Sequence, residues 1–191
     1  MMTQPLTPAA GLVDAEMREL LLAAIPALRA FAFSLTYDLD RSDDLVQDTL
    51  VRAWTKADSF RRGTNLTAWL FTILRNLFYS EQRKRKREIE DADGAHAARL
   101  SSLPEQEIRV EMGEFRAALD RLPYSQREAL ILVGAQNFTY EEAAAICGVA
   151  VGTVKSRVSR ARGRLIEALG MQGTDDIGAD GLTRAALGGA P

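Results

Sequence analysis

Apolar residues recur at spacings of three and four from residue 14 onward, and no stretch alternates apolar and polar positions as a half-buried strand does. The pattern predicts an all-α chain of two small helical domains joined by a flexible linker. The first domain is expected over residues 12–87 and the second over 104–170. Between them, 88–103 is acidic, rich in small residues and without an apolar stripe, which reads as an exposed linker. The glycine-rich end, 171–191, reads as a flexible tail.

Helix starts are best marked in the second domain. Ser125 with Glu128, and Thr139 with Glu142, each have the spacing of a capping box. They predict two short helices, SQREALILVGAQ and TYEEAAAIC, separated by a turn at Asn137. Gly148 then interrupts the chain before GTVKSRVSRARGRL. Helix, glycine-containing turn, helix is the order of a helix-turn-helix, with Ala143 and Ala144 small enough for a close crossing.

On a wheel of about 100° per residue, Val154, Val158, Ala161 and Leu165 share one narrow sector, the face expected to pack inward. Thr153, Ser156, Ser159, Arg160 and Gly163 lie opposite, flanked by Lys155, Arg157, Arg162 and Arg164. A solvated helix normally mixes both charge signs. Small polar residues and one arginine bordered by cations suit a DNA major groove instead, the centre meeting base edges and the borders meeting phosphates.

Composition adds exclusions. With 191 residues, 47% hydrophobic and 26% charged, the chain is of soluble, globular type. No run approaches about 18 uninterrupted apolar residues, and the start has no signal-peptide pattern, so a cytoplasmic protein without a membrane partner is expected. One cysteine, Cys147, and one histidine, His96, provide neither a disulfide nor a metal set, and no cofactor is implied. The net charge of −2 hides a segregation: residues 61–87 hold eight bases and one acid, and 151–170 hold five and one, within an otherwise acidic chain. Screening confines attraction to about 8–10 Å, so two local basic patches indicate a polyanion better than a uniform excess would.

In the first domain, RSDDLVQDTLVRAW opens with Ser42 as the expected N-cap and two aspartates in the first turn. Leu45, Val46, Thr49, Leu50 and Ala53 spread over one side, with Asp44, Gln47, Asp48 and Val51 opposite. Downstream, SFRRGTNLTAWLFTILRNLFYSEQRKRKRE joins a Gly/Asn loop, an aromatic-rich helix and a run of five cations, Arg83 to Arg87. Aromatic side chains beside cations suit unpaired bases and their backbone. Trp69, Phe71, Ile73, Leu74 and Leu77 are nonetheless at helical spacing, and most are expected in the core.

DDLVQDTLVRAW, WLFTILRN, LPYSQREALIL, TYEEAAAICGV and GTVKSRVSRAR, in this order, resemble a bacterial extracytoplasmic-function (ECF) RNA polymerase sigma factor, over about residues 12–168. The second half further resembles the general-stress, EcfG-like branch. This resemblance implies a promoter-specificity subunit without catalysis of its own, docking on core RNA polymerase through the β′ clamp helices and the β flap. Asp44, Gln47, Asp48 and Val51 would contact the clamp. Arg61, Arg62, Thr64, Asn65 and Leu66 would capture a base flipped from the −10 element of promoter DNA. Arg75, Asn76, Arg83 and Lys84 would support strand separation and grip the −10 phosphates. Thr153, Lys155, Ser156, Arg157, Ser159, Arg160, Arg162 and Arg164 would read and hold the −35 element. It also implies control by a NepR-type anti-sigma factor, itself removed by a PhyR-type response regulator.

A stand-alone helix-turn-helix regulator is the alternative, and it would bind its operator without polymerase. An enzyme is disfavoured, because nothing places a base beside a nucleophile. A sigma-mimicking adaptor would have no need of the cations on the last helix.

Overall fold

The computed structural model describes residues 15–91 and 110–170; most of the expected linker and all of the expected tail lie outside them. Among the described residues there are seven α-helices and no strand. The first domain comprises α1 (Ala15–Thr36), α2 (Leu39–Thr55) and α3 (Leu66–Asp91), with a single 3₁₀ turn at Ala57–Ser59. The second comprises α4 (Val110–Asp120), α5 (Tyr124–Gly134), α6 (Tyr140–Cys147) and α7 (Val151–Leu169).

α1 contains a segment, Met17–Thr36, long and apolar enough to cross a membrane by length and composition. Half of it is buried inside the protein, where Leu28, Phe31, Ala32 and Leu35 pack into the core. Phe31 stacks on Phe71 of α3 at 4.8 Å, and Leu70, Phe71, Leu74 and Phe78 of that helix are fully buried. Of the residues expected in the core of α3, Trp69, Ile73 and Leu77 are only partly buried against it.

Two expected caps are placed differently. α2 begins one turn earlier than Ser42, because the Asp38 carboxylate already accepts from the Arg41 amide at 3.1 Å. Ser42 is buried, its hydroxyl donating to the Asp38 carbonyl at 2.5 Å and lying 2.7 Å from the Thr36 hydroxyl. α5 starts at Tyr124 with Pro123 as its N-cap, so the capping box of Ser125 and Glu128 does not form. The Glu128 carboxylate is committed elsewhere, to the first domain.

The capping box at Thr139 and Glu142 does form, and Asn137 turns the chain at φ 55°. At the end of α6, Gly148 takes φ 65°, and the amides of Gly148 and Val149 reach the carbonyls of Ala145 and Ala144. This double bond pattern closes the helix end and demands a left-handed residue, which glycine adopts without strain. α7 then crosses α5 and α6 with Val154, Val158, Ala161 and Leu165 all at most 2% exposed, the inward face expected from the wheel.

The two domains share one hydrophobic core. Phe71 meets Phe138 edge-on at 5.1 Å, and Phe78 meets Tyr124 at 5.5 Å. Arg127, 2% exposed, donates to the carbonyls of Leu119, Asp120 and Leu122 at the end of α4 and to the Ser34 carbonyl of α1. Its guanidinium lies 4.7 Å from the centre of the Tyr37 ring. A buried cation is tolerable here because carbonyl oxygens and a ring face replace its water.

Candidate nucleic-acid and polymerase interfaces

On α7, Lys155, Ser159, Arg160, Gly163 and Arg164 are exposed, while Thr153, Ser156, Arg157 and Arg162 are half-buried. The Lys155 ammonium sits 5.7 Å from the Tyr140 ring centre, extended over an aromatic face. Ser156 turns its hydroxyl back onto the Thr153 carbonyl at 2.9 Å, and Arg164 donates to the Gln126 side chain at 3.2 Å. Arg157 lies near enough to Glu128 to favour its ionised form. The open centre of this face is therefore Ser159 and Arg160, with Lys155 beside them.

On α2, Asp44, Gln47, Asp48 and Val51 are all exposed, and Leu45, Val46, Thr49 and Ala53 are buried on the other side. Val51 is 58% exposed and Trp54, one turn further, 48%. Sequence reasoning missed Trp54. The signal was present, since a tryptophan three residues after an apolar residue on a polar face extends that face by one helical turn.

The loop before α3 has Arg61, Arg62, Gly63 and Thr64 at the surface. Gly63 takes φ 85°, and the Thr64 hydroxyl closes the turn onto the Arg61 carbonyl at 2.7 Å. Behind it, Phe60 packs on Trp69 at 5.2 Å, which anchors the loop to α3. Asn65 serves as N-cap of α3, accepting from the Ala68 amide at 3.1 Å. Asn76, Arg83 and Lys84 are exposed along α3.

Three residues expected at the −10 strand are occupied otherwise. Leu66 is 8% exposed and belongs to the core, because the first turn of α3 packs inward. The Asn65 amide donates to Glu142 at 2.8 Å, and the Arg75 Nε donates to Glu128 at 2.6 Å. Tyr79 donates its phenol proton to the second Glu128 oxygen at 3.2 Å. Burial pushes the Glu128 carboxyl up from its ordinary value of 4.5, opposed by Arg75, Tyr79 and Arg157. Glu142 is held below that value by the Thr139 amide and by Asn65. Nearby Cys147 is pushed up to about 12 by burial and by the Glu128 charge, so it is a packing residue rather than a nucleophile. No group of three or more metal-ligating side chains occurs among the described residues.

Residues 20–88 match the family model Sigma-70 region 2, and residues 112–165 match Sigma-70, region 4. The chain is 61% identical to the ECF RNA polymerase sigma factor EcfG of Rhodopseudomonas palustris over 173 residues, covering 91% of this chain and 96% of the relative. The chain is an ECF RNA polymerase sigma factor. As such it directs promoter-specific transcription initiation, and its two domains are region 2 (α1–α3) and region 4 (α4–α7). The sigma factor also resembles the structure of RpoE in complex with the anti-sigma factor NepR from Bartonella quintana, with TM-score 0.74 and 54% identity over 84% of this chain and 100% of that one. A PhyRSL–NepR complex from Sphingomonas sp. Fr1 shares the fold, with TM-score 0.60 and 23% identity over 78% of this chain and 85% of that one.

Proposed function

We propose that this sigma factor docks on core RNA polymerase through the α2 face of Asp44, Gln47, Asp48, Val51 and Trp54. Its exposed acids and two bordering apolar side chains suit a basic, partly apolar helical partner, the chemistry implied for the β′ clamp helices. Region 4 meets the β flap and presents α7 to the −35 duplex. Arg160 and Ser159 face base edges, Lys155 and Arg157 stand at the border, and Arg162 and Arg164 hold phosphates. In region 2, Arg61, Arg62 and Thr64 form the −10 capture loop, and Asn76, Arg83 and Lys84 track the strand phosphates.

The observation that carries this reading is the pairing, in one chain, of an outward polar and cationic α7 face with a second basic surface on region 2. Each positive patch meets its own promoter element when polymerase holds the domains. Base contacts contribute about 1–3 kcal/mol each to discrimination, and phosphate contacts add salt-sensitive affinity. The factor works in the cytoplasm, needs no cofactor and performs no catalysis itself.

The likeness to EcfG and to a NepR-bound sigma factor supports a place in the general stress response. A NepR-type anti-sigma factor holds this chain inactive, and a PhyR-type response regulator with a sigma-like surface draws the inhibitor away. In-vitro transcription with core polymerase on a promoter pool tests the central reading. Added NepR-type protein should silence the transcripts and phosphorylated PhyR-type protein should restore them. Absence of any transcript with core polymerase overturns the reading.

A further inference from the structure

The two helices of the helix-turn-helix meet through an aromatic ring as well as through their buried faces. Tyr140 is the first residue of α6, where the capping box of Thr139 and Glu142 sets its backbone. Its ring is half-buried and packs against the core. Over that ring lies the Lys155 ammonium, 5.7 Å from the centre. Lys155 is exposed on α7, next to the fully buried Val154. An aromatic face attracts a cation held within about 6 Å of its centre. A lysine stem without such a support samples many rotamers, and ordering it on a partner costs affinity.

We propose that Tyr140 is a positioning residue for −35 recognition: its ring holds the Lys155 side chain extended at the border of the α7 reading face before DNA arrives. The inference rests on the reading that α7 meets the −35 duplex. Within the pair, the tyrosine is the fixed member, tied down by the cap and the core, and the lysine is the mobile one. An ammonium carries three N–H donors, so contact with the ring leaves donors for acceptors on the DNA. Holding the stem in advance reduces the freedom lost on binding, and Tyr140 thereby adds to affinity without touching DNA. The role requires an electron-rich ring face at position 140 and makes no use of the phenol oxygen.

The test uses the full chain and a labelled −35 duplex from a promoter it serves with core polymerase, read by fluorescence anisotropy at one salt concentration. Tyr140→Phe keeps the ring and should bind like the wild type. Tyr140→Leu keeps an apolar side chain against the core but has no ring face, and should bind about threefold more weakly, the equivalent of an exposed cation–π contact. In a Lys155→Ala background the same leucine change should cost nothing further, because the two side chains act as one unit. Circular dichroism checks the fold. Pentafluorophenylalanine at position 140 keeps the ring and reverses the potential of its face, so it should lose about threefold against Tyr140→Phe even if the leucine variant fails to fold. An equal loss from Tyr140→Leu with and without Lys155 overturns the positioning role. So does a loss in Tyr140→Phe as large as in Tyr140→Leu, which would place the hydroxyl on the DNA. Arg160→Ala separates this failure from that of the underlying reading. If neither Arg160→Ala nor Lys155→Ala weakens binding, the −35 reading of α7 falls; if both do and the ring changes do not, the positioning role alone falls.

Discussion

Arg75 of region 2 donates to Glu128 of region 4 at 2.6 Å, and the Glu128 side chain has no exposed surface. A carboxylate in that position depends on its cation. Loss of one partner of a buried pair costs about 3–5 kcal/mol, because the other charge is left unpaired.

Burial of Glu128 makes stability pH-dependent with a definite sign. Burial raises the Glu128 carboxyl above 4.5, against the favourable charges of Arg75 and Arg157 and the Tyr79 hydrogen bond. Between 4.5 and its raised value the folded protein holds more proton at Glu128 than the unfolded chain does. This contribution to stability is fully present below 4.5 and is lost as pH rises through the raised value. Thermal melts across pH should therefore show a component that declines with rising pH in the wild type and is absent in Glu128→Gln. Parallel profiles would remove Glu128 as its source.

The ends of α6 carry region 4 independently of that pair. Thr139→Ala removes the acceptor for the Glu142 amide and should lower stability by about 1 kcal/mol. Gly148→Ala forces a Cβ onto φ 65°, where an L-residue costs about 1–2 kcal/mol. A Cβ there meets no atom within 4 Å, so the loss comes from backbone strain and not from collision. Denaturant unfolding should give both losses, with the glycine variant at least as unstable as the threonine one.

The exposed apolar pair on α2 separates docking from folding. Val51→Glu and Trp54→Ala alter side chains that are about half exposed, so melting temperatures should hardly move. Core polymerase binding should weaken by about tenfold or more for each, if these side chains fill apolar contacts on the partner. Titration of labelled sigma factor with core polymerase reads the effect directly. Unchanged affinity with unchanged melting would move the docking face off this side of α2.

Local features were legible from spacing. The buried sector of α7, the Thr139–Glu142 box and the turn at Gly148 depend on residues within two helical turns, where periodicity and capping chemistry act. The exposed side of α2 was legible for the same reason, though Trp54 was overlooked. The misplaced caps show where local reasoning stops. Glu128 has the correct spacing from Ser125, yet a strong cation 53 residues earlier wins it, and Ser42 yields to Asp38 one turn ahead. Arg127 likewise reads as one more surface base, although it bridges α4 and α1 from the interior. Nothing in the spacing of Asn65 or Arg75 discloses that their partners come from the other domain.

The −35 face provides the sharpest division between base and phosphate contacts. Arg160 is exposed at the centre of α7, and Arg164 is at one side with a side-chain contact to Gln126. A base contact by Arg160 predicts that Arg160→Ala loses about 1–3 kcal/mol on the preferred −35 duplex and little on a duplex altered at the contacted pair. A phosphate contact by Arg164 predicts that Arg164→Ala weakens both duplexes equally and reduces the slope of log affinity against log salt by about 0.9. The two measurements together test the wheel, since a face rotated by one residue would exchange their behaviour. Equal loss on both duplexes for Arg160→Ala, with a reduced salt slope, would assign Arg160 to the backbone and leave Lys155 and Ser159 as the remaining candidates for base reading.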